Sequence, residues 1–174
     1  MTDTQQPAKN STKLDIRQIY IKDLSFESPM SPQSIAAPGG SPKIDINLSI
    51  GFRRLNEDGH YEVVLTIEAT AKNEGKSMFL AEVQQAGLFQ IQGFGDKETE
   101  MVLNVACPTV LLPFARAAIT DVVSKGGFPQ LLVNPVNFES LYAIKVKREI
   151  NQADAGKNSP PVLDPEAGNG KTIN

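Results

Sequence analysis

Four stretches of alternating apolar and polar residues fill the first half of the chain, and helical spacing replaces alternation after Gly95. Period-two patterning marks a half-buried β-strand, because successive side chains point to opposite faces. In the first stretch Leu14, Ile16, Tyr20, Leu24 and Phe26 fall on one face. The second sets Ile44, Ile46, Leu48, Ile50 and Phe52 against Lys43, Asp45, Asn47, Ser49, Gly51 and Arg53. In the third, Tyr61, Val63, Leu65, Ile67, Ala69 and Ala71 oppose His60, Glu62, Thr66, Glu68, Thr70 and Lys72, with Val64 breaking the polar side. The fourth has Phe79, Ala81, Val83, Phe89 and Ile91 on one side, interrupted by Gln85 and Gly87. Asn56-Glu57-Asp58-Gly59 and Asn73-Glu74-Gly75 supply residues that tolerate positive φ, so strands two to four are predicted to form an antiparallel meander. The Pro/Ser-rich stretch from Ser28 to Pro42 is a surface crossover from the first strand to the second.

Pro108 can open a helix at its first turn, where the missing N–H costs nothing. Val110, Phe114, Ala117, Ala118, Asp121 and Val122 come next at three- and four-residue spacing, with Pro113 expected to kink the helix and Gly126-Gly127 to end it. After a loop from Phe128 to Pro135, Asn137 caps a last helix carrying Phe138, Leu141, Tyr142, Ile144 and Val146. The predicted class is α+β, a four-stranded antiparallel sheet followed by C-terminal helices. Residues 1–13 are polar and read as a disordered tail, 14–150 as the folded domain, and the Pro/Gly-rich stretch 151–174 as a mobile tail.

Length and composition narrow the function. A chain of 174 residues with 40% hydrophobic content suits one domain with tails. The net charge of −3 argues against a nucleic-acid binder, and the acidic excess lies wholly within 14–150. One Cys and one His exclude an intrachain disulfide and a closed zinc site. No run of 18 apolar residues is present and the N-terminus lacks the apolar segment of a signal peptide, so a soluble, cytoplasmic protein is expected.

Catalytic chemistry is sparse. His60 reads as a surface residue beside a turn, and Cys107 as a buried structural thiol. Gly93-Phe94-Gly95 lacks the third glycine of a dinucleotide fingerprint, and there is no nucleophile elbow or phosphate loop. No catalytic, cofactor-binding or metal-ligating residue is assigned, and no cofactor is expected. The oddity is apolar residues on faces that should be wet: Ile19 and Ile21 opposite Leu14 and Ile16, then Val64, Met78, Leu80 and Leu88. Contiguous apolar patches mark interfaces; a helix covering that side is the alternative. The residues by themselves describe a self-associating α+β binding module.

Six blocks then carry a resemblance. They are Ile19-Tyr-Ile-Lys-Asp-Leu-Ser-Phe-Glu27, Tyr61-Glu-Val-Val-Leu65, Phe79-Leu-Ala-Glu-Val-Gln-Gln-Ala-Gly87, Cys107-Pro-Thr-Val-Leu-Leu-Pro-Phe-Ala-Arg116, Gly127-Phe-Pro-Gln-Leu131 and Asn134-Pro-Val-Asn-Phe-Glu-Ser-Leu-Tyr142. In this order, over residues 14–146, they resemble the family of the bacterial protein-export chaperone SecB. The resemblance implies a homotetramer, a dimer of dimers. It implies an ATP-independent holdase that keeps unfolded secretory precursors translocation-competent and delivers them to the SecA ATPase, with no nucleic-acid partner and no membrane insertion. It implies docking of SecA's short basic, zinc-binding C-terminal segment at Asp23, Glu27, Leu80 and Glu82. It places Ala81, Val83 and Gln85 near subunit packing, and Leu24, Phe26, Phe128, Leu141 and Tyr142 are the candidates for client binding. Two departures stand out. The C-terminal tail is near neutral rather than acidic, and Lys145, Lys147 and Arg148 make the last helix basic. A SecB-like chaperone dedicated to an antitoxin, and a small-ligand α+β enzyme, are the competing readings.

Overall fold

The alternation along the chain becomes one sheet. A computed structural model describes residues 11–36 and 41–157. The elements run β1 (Lys13–Glu27), α1 (Gln33–Ala36), β2 (Lys43–Arg54), β3 (His60–Asn73), β4 (Lys76–Gln92), α2 (Asp96–Met101), a π-helical turn (Val102–Ala106), α3 (Cys107–Lys125) and α4 (Phe138–Lys157). The chain divides into two units, one ending at Glu139 and the other starting at Ser140. The expected disorder of residues 1–13 and mobility of 151–174 fall mostly outside the described residues. Within them, α4 continues to Lys157, past the boundary expected at 150.

The sheet is antiparallel with strand order β1-β4-β3-β2. The β3–β4 hairpin closes through Glu74 and Gly75, at φ 50° and 78°. Positive φ at both central residues is what a two-residue hairpin needs to match the twist of its strands. The crossover carries β1 to the far edge from β2, so both are edge strands.

β1 departs from the expected alternation. Two register shifts, at Arg17 and at Lys22, each insert one extra residue against β4. Each β-bulge inverts the parity of the residues beyond it. Ile19 pairs with Gly87 and Ile21 with Gln85, on the same side as Leu14 and Ile16, and the second bulge returns Leu24 and Phe26 to that side. The reading of Ile19 and Ile21 as misplaced is therefore corrected, and Tyr20 moves to the opposite face.

The helical half differs too. Helix begins after Gly95, which caps α2 through its backbone N–H to Glu98 Oε2 (3.1 Å), and not at Pro108. Pro108 sits one residue inside α3, where it has no N–H to give and its ring would crowd the carbonyl four residues back. The wider π turn immediately before it accommodates that loss. Pro113 lies within α3 without ending it. The resulting run, Asp96–Lys125, is long and apolar enough by composition to cross a membrane. Here it supplies the cover of the sheet.

Leu103, Cys107, Leu111, Ala115, Ile119 and Val123 form its buried ridge at four-residue spacing. They pack on Val63, Leu65, Ile67, Phe79, Val83 and Phe89 of the two central strands. The buried face of the helix lies one position away from the expected one: Phe114 is exposed, and Val110 and Val122 are half-buried. At one end of the core Phe79 meets Phe128 at 4.9 Å and Phe26 at 5.9 Å between ring centroids. Gly87 lets α3 approach. A Cβ there would lie 2.5 Å from the Phe89 ring and 3.0 Å from Leu111 Cδ2. Gly87→Ala is expected to cost about 1–3 kcal/mol by overpacking; thermal unfolding followed by circular dichroism would show a lowered midpoint, and an unchanged midpoint would refute this tight contact.

Candidate functional site

The face of the sheet away from α3 carries two unlike carboxylate arrangements. At its centre Glu62 is buried, with 5% of its side chain exposed. It accepts from Tyr20 on β1, from Lys22 Nζ at 2.8 Å and from Arg53 Nε on β2 at 2.8 Å. Three strands are thus tied through one carboxylate. The Lys22 bond, then the Tyr20 bond, hold its pKa down at about 2 against the desolvation that would raise it. The same carboxylate raises the Tyr20 phenol above its ordinary value.

Toward the β3–β4 turn the same face holds Asp23, Glu27, Glu68 and Glu82. Glu82 pairs across β4–β1 with Ser25, which sets Asp23 and Glu27 diagonally to either side of it. Across β3–β4 it faces Glu68 directly. Cross-strand like charges destabilise a sheet, yet among the described residues the ion pairs involve Asp15, Asp45, Glu62 and Asp121 and none of these four. Glu82 instead accepts from Gln84 Nε2 at 2.8 Å. Leu80, 38% exposed, lies beside them. Glu27, Glu68, Thr70, Leu80 and Glu82 line a shallow recess of about 200 Å³. The structure thus brings Asp23, Glu27, Leu80 and Glu82 onto one face and adds Glu68. Its signal in the sequence was the position, polar-face parity on β3 and two residues before the Thr70 that opposes Leu80.

The α3 side of the sheet is apolar across its full width but covered only in the middle. Ile16, Ile21 and Leu24 on β1, and Ile44, Ile46 and Phe52 on β2, are exposed. Of the client candidates, Leu24 belongs to this margin and Phe26 is half-buried. Phe128 is buried in the chain's own core against Phe79 and Phe26. In the second unit Leu141 is exposed and Tyr142 half-buried.

Ala81, Val83 and Gln85 lie on the opposite parity of β4 from the acidic residues. They are 4%, 0% and 3% exposed within the single chain. Ala81 and Val83 belong to the chain's own hydrophobic core. Gln85 Nε2 donates to the Tyr20 carbonyl at 2.8 Å.

His60 Nδ1 lies 3.0 Å from Asn56 Oδ1 at the β2–β3 turn. Cys107 is buried, and burial pushes its thiol up to about 12, so it is not held as a thiolate. Among the described residues no three His, Cys, Asp or Glu side chains are grouped to hold a metal ion.

A family model described as preprotein translocase subunit SecB matches residues 6–149. A protein-export protein SecB of Thioalkalivibrio sulfidiphilus is 41% identical over 92% of this chain and 97% of that relative. One from Methylobacillus flagellatus is 46% identical over 80% of this chain and 84% of its own length. Among solved structures, a SecB-like chaperone of Mycobacterium tuberculosis in complex with an antitoxin peptide matches with TM-score 0.59 at 15% identity. It covers 71% of this chain and 90% of its own, and it shows the fold alone.

The depressed Glu62 pKa makes a pH prediction. A carboxyl whose folded pKa lies below its unfolded value stabilises fully above the unfolded value and loses that contribution as pH falls toward the folded one. For Glu62 the window runs from about pH 5 down to about 2. Glu62→Gln is expected to cost about 2–3 kcal/mol near neutrality, with the gap to wild type closing through that window. Urea unfolding at stepped pH measures it, and a gap that stays constant would refute the network's charge dependence.

Proposed function

The chain belongs to the SecB family of preprotein translocase subunits, and from that membership we propose that it is an ATP-independent export chaperone that holds unfolded precursors and passes them to SecA. The family is one of chaperones, and the chain is not an enzyme.

The observation that carries the reading is the division of labour between the two sheet faces. Apolar margins on both edge strands, open and shallow, suit extended segments with exposed apolar side chains and no fixed structure. Ile16, Ile21 and Leu24 on β1 join Phe26 as the client-facing set of the first unit; Leu141 and Tyr142 are separate client-binding candidates in the second. The acidic face offers a basic peptide four carboxylates that, among the described residues, have no cationic partner, with Leu80 as an apolar contact. Asp23, Glu27, Leu80 and Glu82 are the docking residues for the basic C-terminal segment of SecA, and Phe26 and Glu27 lie on opposite faces of the same strand. A client and the motor therefore engage different sides.

A homotetramer, a dimer of dimers, is in keeping with the same margins. Phe114, Val110 and Val122 on the outer side of α3 and the uncovered rows of β1 and β2 are apolar surface that association would bury. Multivalent holding across four subunits raises the effective affinity of individually weak contacts. The cytoplasm is the compartment where such a holdase meets its precursors, and no nucleic acid or membrane insertion enters the mechanism. Export is preferred to antitoxin holding because relatives bearing the export name match at 41–46% identity, against 15% for the antitoxin-bound neighbour.

Two measurements test this. The purified chain is expected to suppress aggregation of a refolding precursor without ATP and to scatter light with the mass of four subunits; a monomer with no effect would overturn the assignment. Glu82→Lys is expected to weaken binding of SecA's zinc-loaded C-terminal peptide by about tenfold or more, through like-charge repulsion, while leaving aggregation suppression unchanged. Unchanged affinity in calorimetry would remove the docking face.

A further inference from the structure

Asp23 and Glu27 reach the acidic face only because of the bulge at Lys22. With β1 in uninterrupted alternation from Ile21, Asp23, Ser25 and Glu27 would point beneath α3, and Leu24 and Phe26 would point to water. A bulge displaced by two or three residues toward the C-terminus would turn Asp23 inward as well. Within one chain β1 is an edge strand paired on one side only, with little of its own to fix where the extra residue sits.

Contacts on both faces of the sheet fix it. Lys22, the inserted residue, reaches past β4 to Glu62 on β3 at 2.8 Å. Tyr20, two residues earlier, donates to the same carboxylate. Between them on β4 stands Ala86, opposite both Tyr20 and Val64, a side chain small enough to let that bridge pass. From the other face, buried Gln85 donates to the Tyr20 carbonyl at 2.8 Å. Residues 20–22 are therefore held from both sides of the sheet. Arg53 binds the same Glu62 oxygen at 2.8 Å from β2, and its described hydrogen bond and ion pair go to Glu62 and not to residues 20–22.

We propose that Lys22, acting through Glu62 and seconded by Gln85, is a positioning residue that sets the register of the motor-docking face. The proposal rests on the docking reading of Asp23, Glu27 and Glu82. It accounts for a cation beside an acidic docking surface: Lys22 is held on Glu62, which it shares with Arg53, and serves the register of the strand, not the ligand.

The sign of one substitution separates this from plain electrostatics. Lys22→Met removes a positive charge next to the acidic face, so charge alone would tighten binding of a basic peptide. Loss of the clamp weakens it. In calorimetry with the zinc-loaded SecA C-terminal peptide, Lys22→Met is expected to bind about five- to tenfold more weakly. Lys22→Arg should keep wild-type affinity. Arg53→Met, which removes the same charge and leaves the bulge untouched, should bind no more weakly than wild type. Aggregation suppression without ATP, unchanged in all three, shows that the variants are folded and holding.

Lys22→Met binding as tightly as wild type or tighter overturns the proposal, and so does equal weakening by Lys22→Met and Arg53→Met. Amide hydrogen exchange at Asp23–Phe26 reads the clamp independently of the motor. Faster exchange in Lys22→Met supports the clamp even where Glu82→Lys leaves peptide affinity untouched, an outcome that would remove the docking reading alone. Unchanged exchange in Lys22→Met removes the clamp.

Discussion

A four-stranded sheet is wider than the helix that covers it. With strands about 4.8 Å apart, the outer strands stand ~14 Å from one another, while a helix with its side chains is about 10 Å across. One helix can seal two strands. The α3 ridge lies over β3 and β4, and their side chains beneath it are the most buried in the chain. The rows on β1 and β2 share the same apolar chemistry and the same face, but among the described residues they are only partly covered: Leu14, Ile19, Phe26, Leu48 and Ile50 pack against the core and the rest stay exposed. Nearly every exposed large apolar residue of the sheet arises from this mismatch: Ile16, Ile21 and Leu24 at one edge, Ile44, Ile46 and Phe52 at the other. The geometry leaves this apolar surface in place on both edge strands.

The other face is governed by charge. Its parity is opposite along every strand, so β4 alternates between the two faces residue by residue: Phe79, Ala81, Val83 and Gln85 inward, Leu80, Glu82 and Gln84 outward. This explains why residues adjacent in the chain can differ so completely in their surroundings.

Much of this is legible in the sequence where a single periodicity decides it. β2, β3 and β4, both hairpin turns and the polar-face register of Leu80 and Glu82 come from strict alternation, and the six blocks identify the family. The features that escape have a second constraint laid over the first. In β1 the core positions are 14, 16, 19, 21, 24 and 26, a spacing of two and three by turns that signals a twice-bulged strand and reads as noise to a period-two template. The helix start is hidden because Pro108 looks like an N-terminal signal, and the π turn that lets it sit inside a helix has no composition of its own. Phe128 looks available in a loop, but three rings close on one another there, a contact between β1, β4 and the segment after α3 that no local pattern encodes. Glu68 reads as one more polar-face residue of its strand, and only the β3–β4 register places it opposite Glu82.

The contrast between Glu62 and Glu82 carries the functional logic furthest. Both are polar-face carboxylates on central strands of one sheet. Glu62 receives three donors and is stabilised as an anion far below ordinary acidity. Glu82 receives a neutral amide, faces another glutamate and stands between two further acids. A sheet selected for stability alone has reason to pair charges as it does around Glu62 and none to place Glu68 opposite Glu82. Local choices that work against the fold tend to mark sites where function sets the terms. The satisfied carboxylate ties three strands together, and Glu82, with no cation beside it among the described ion pairs, keeps its charge exposed on the face.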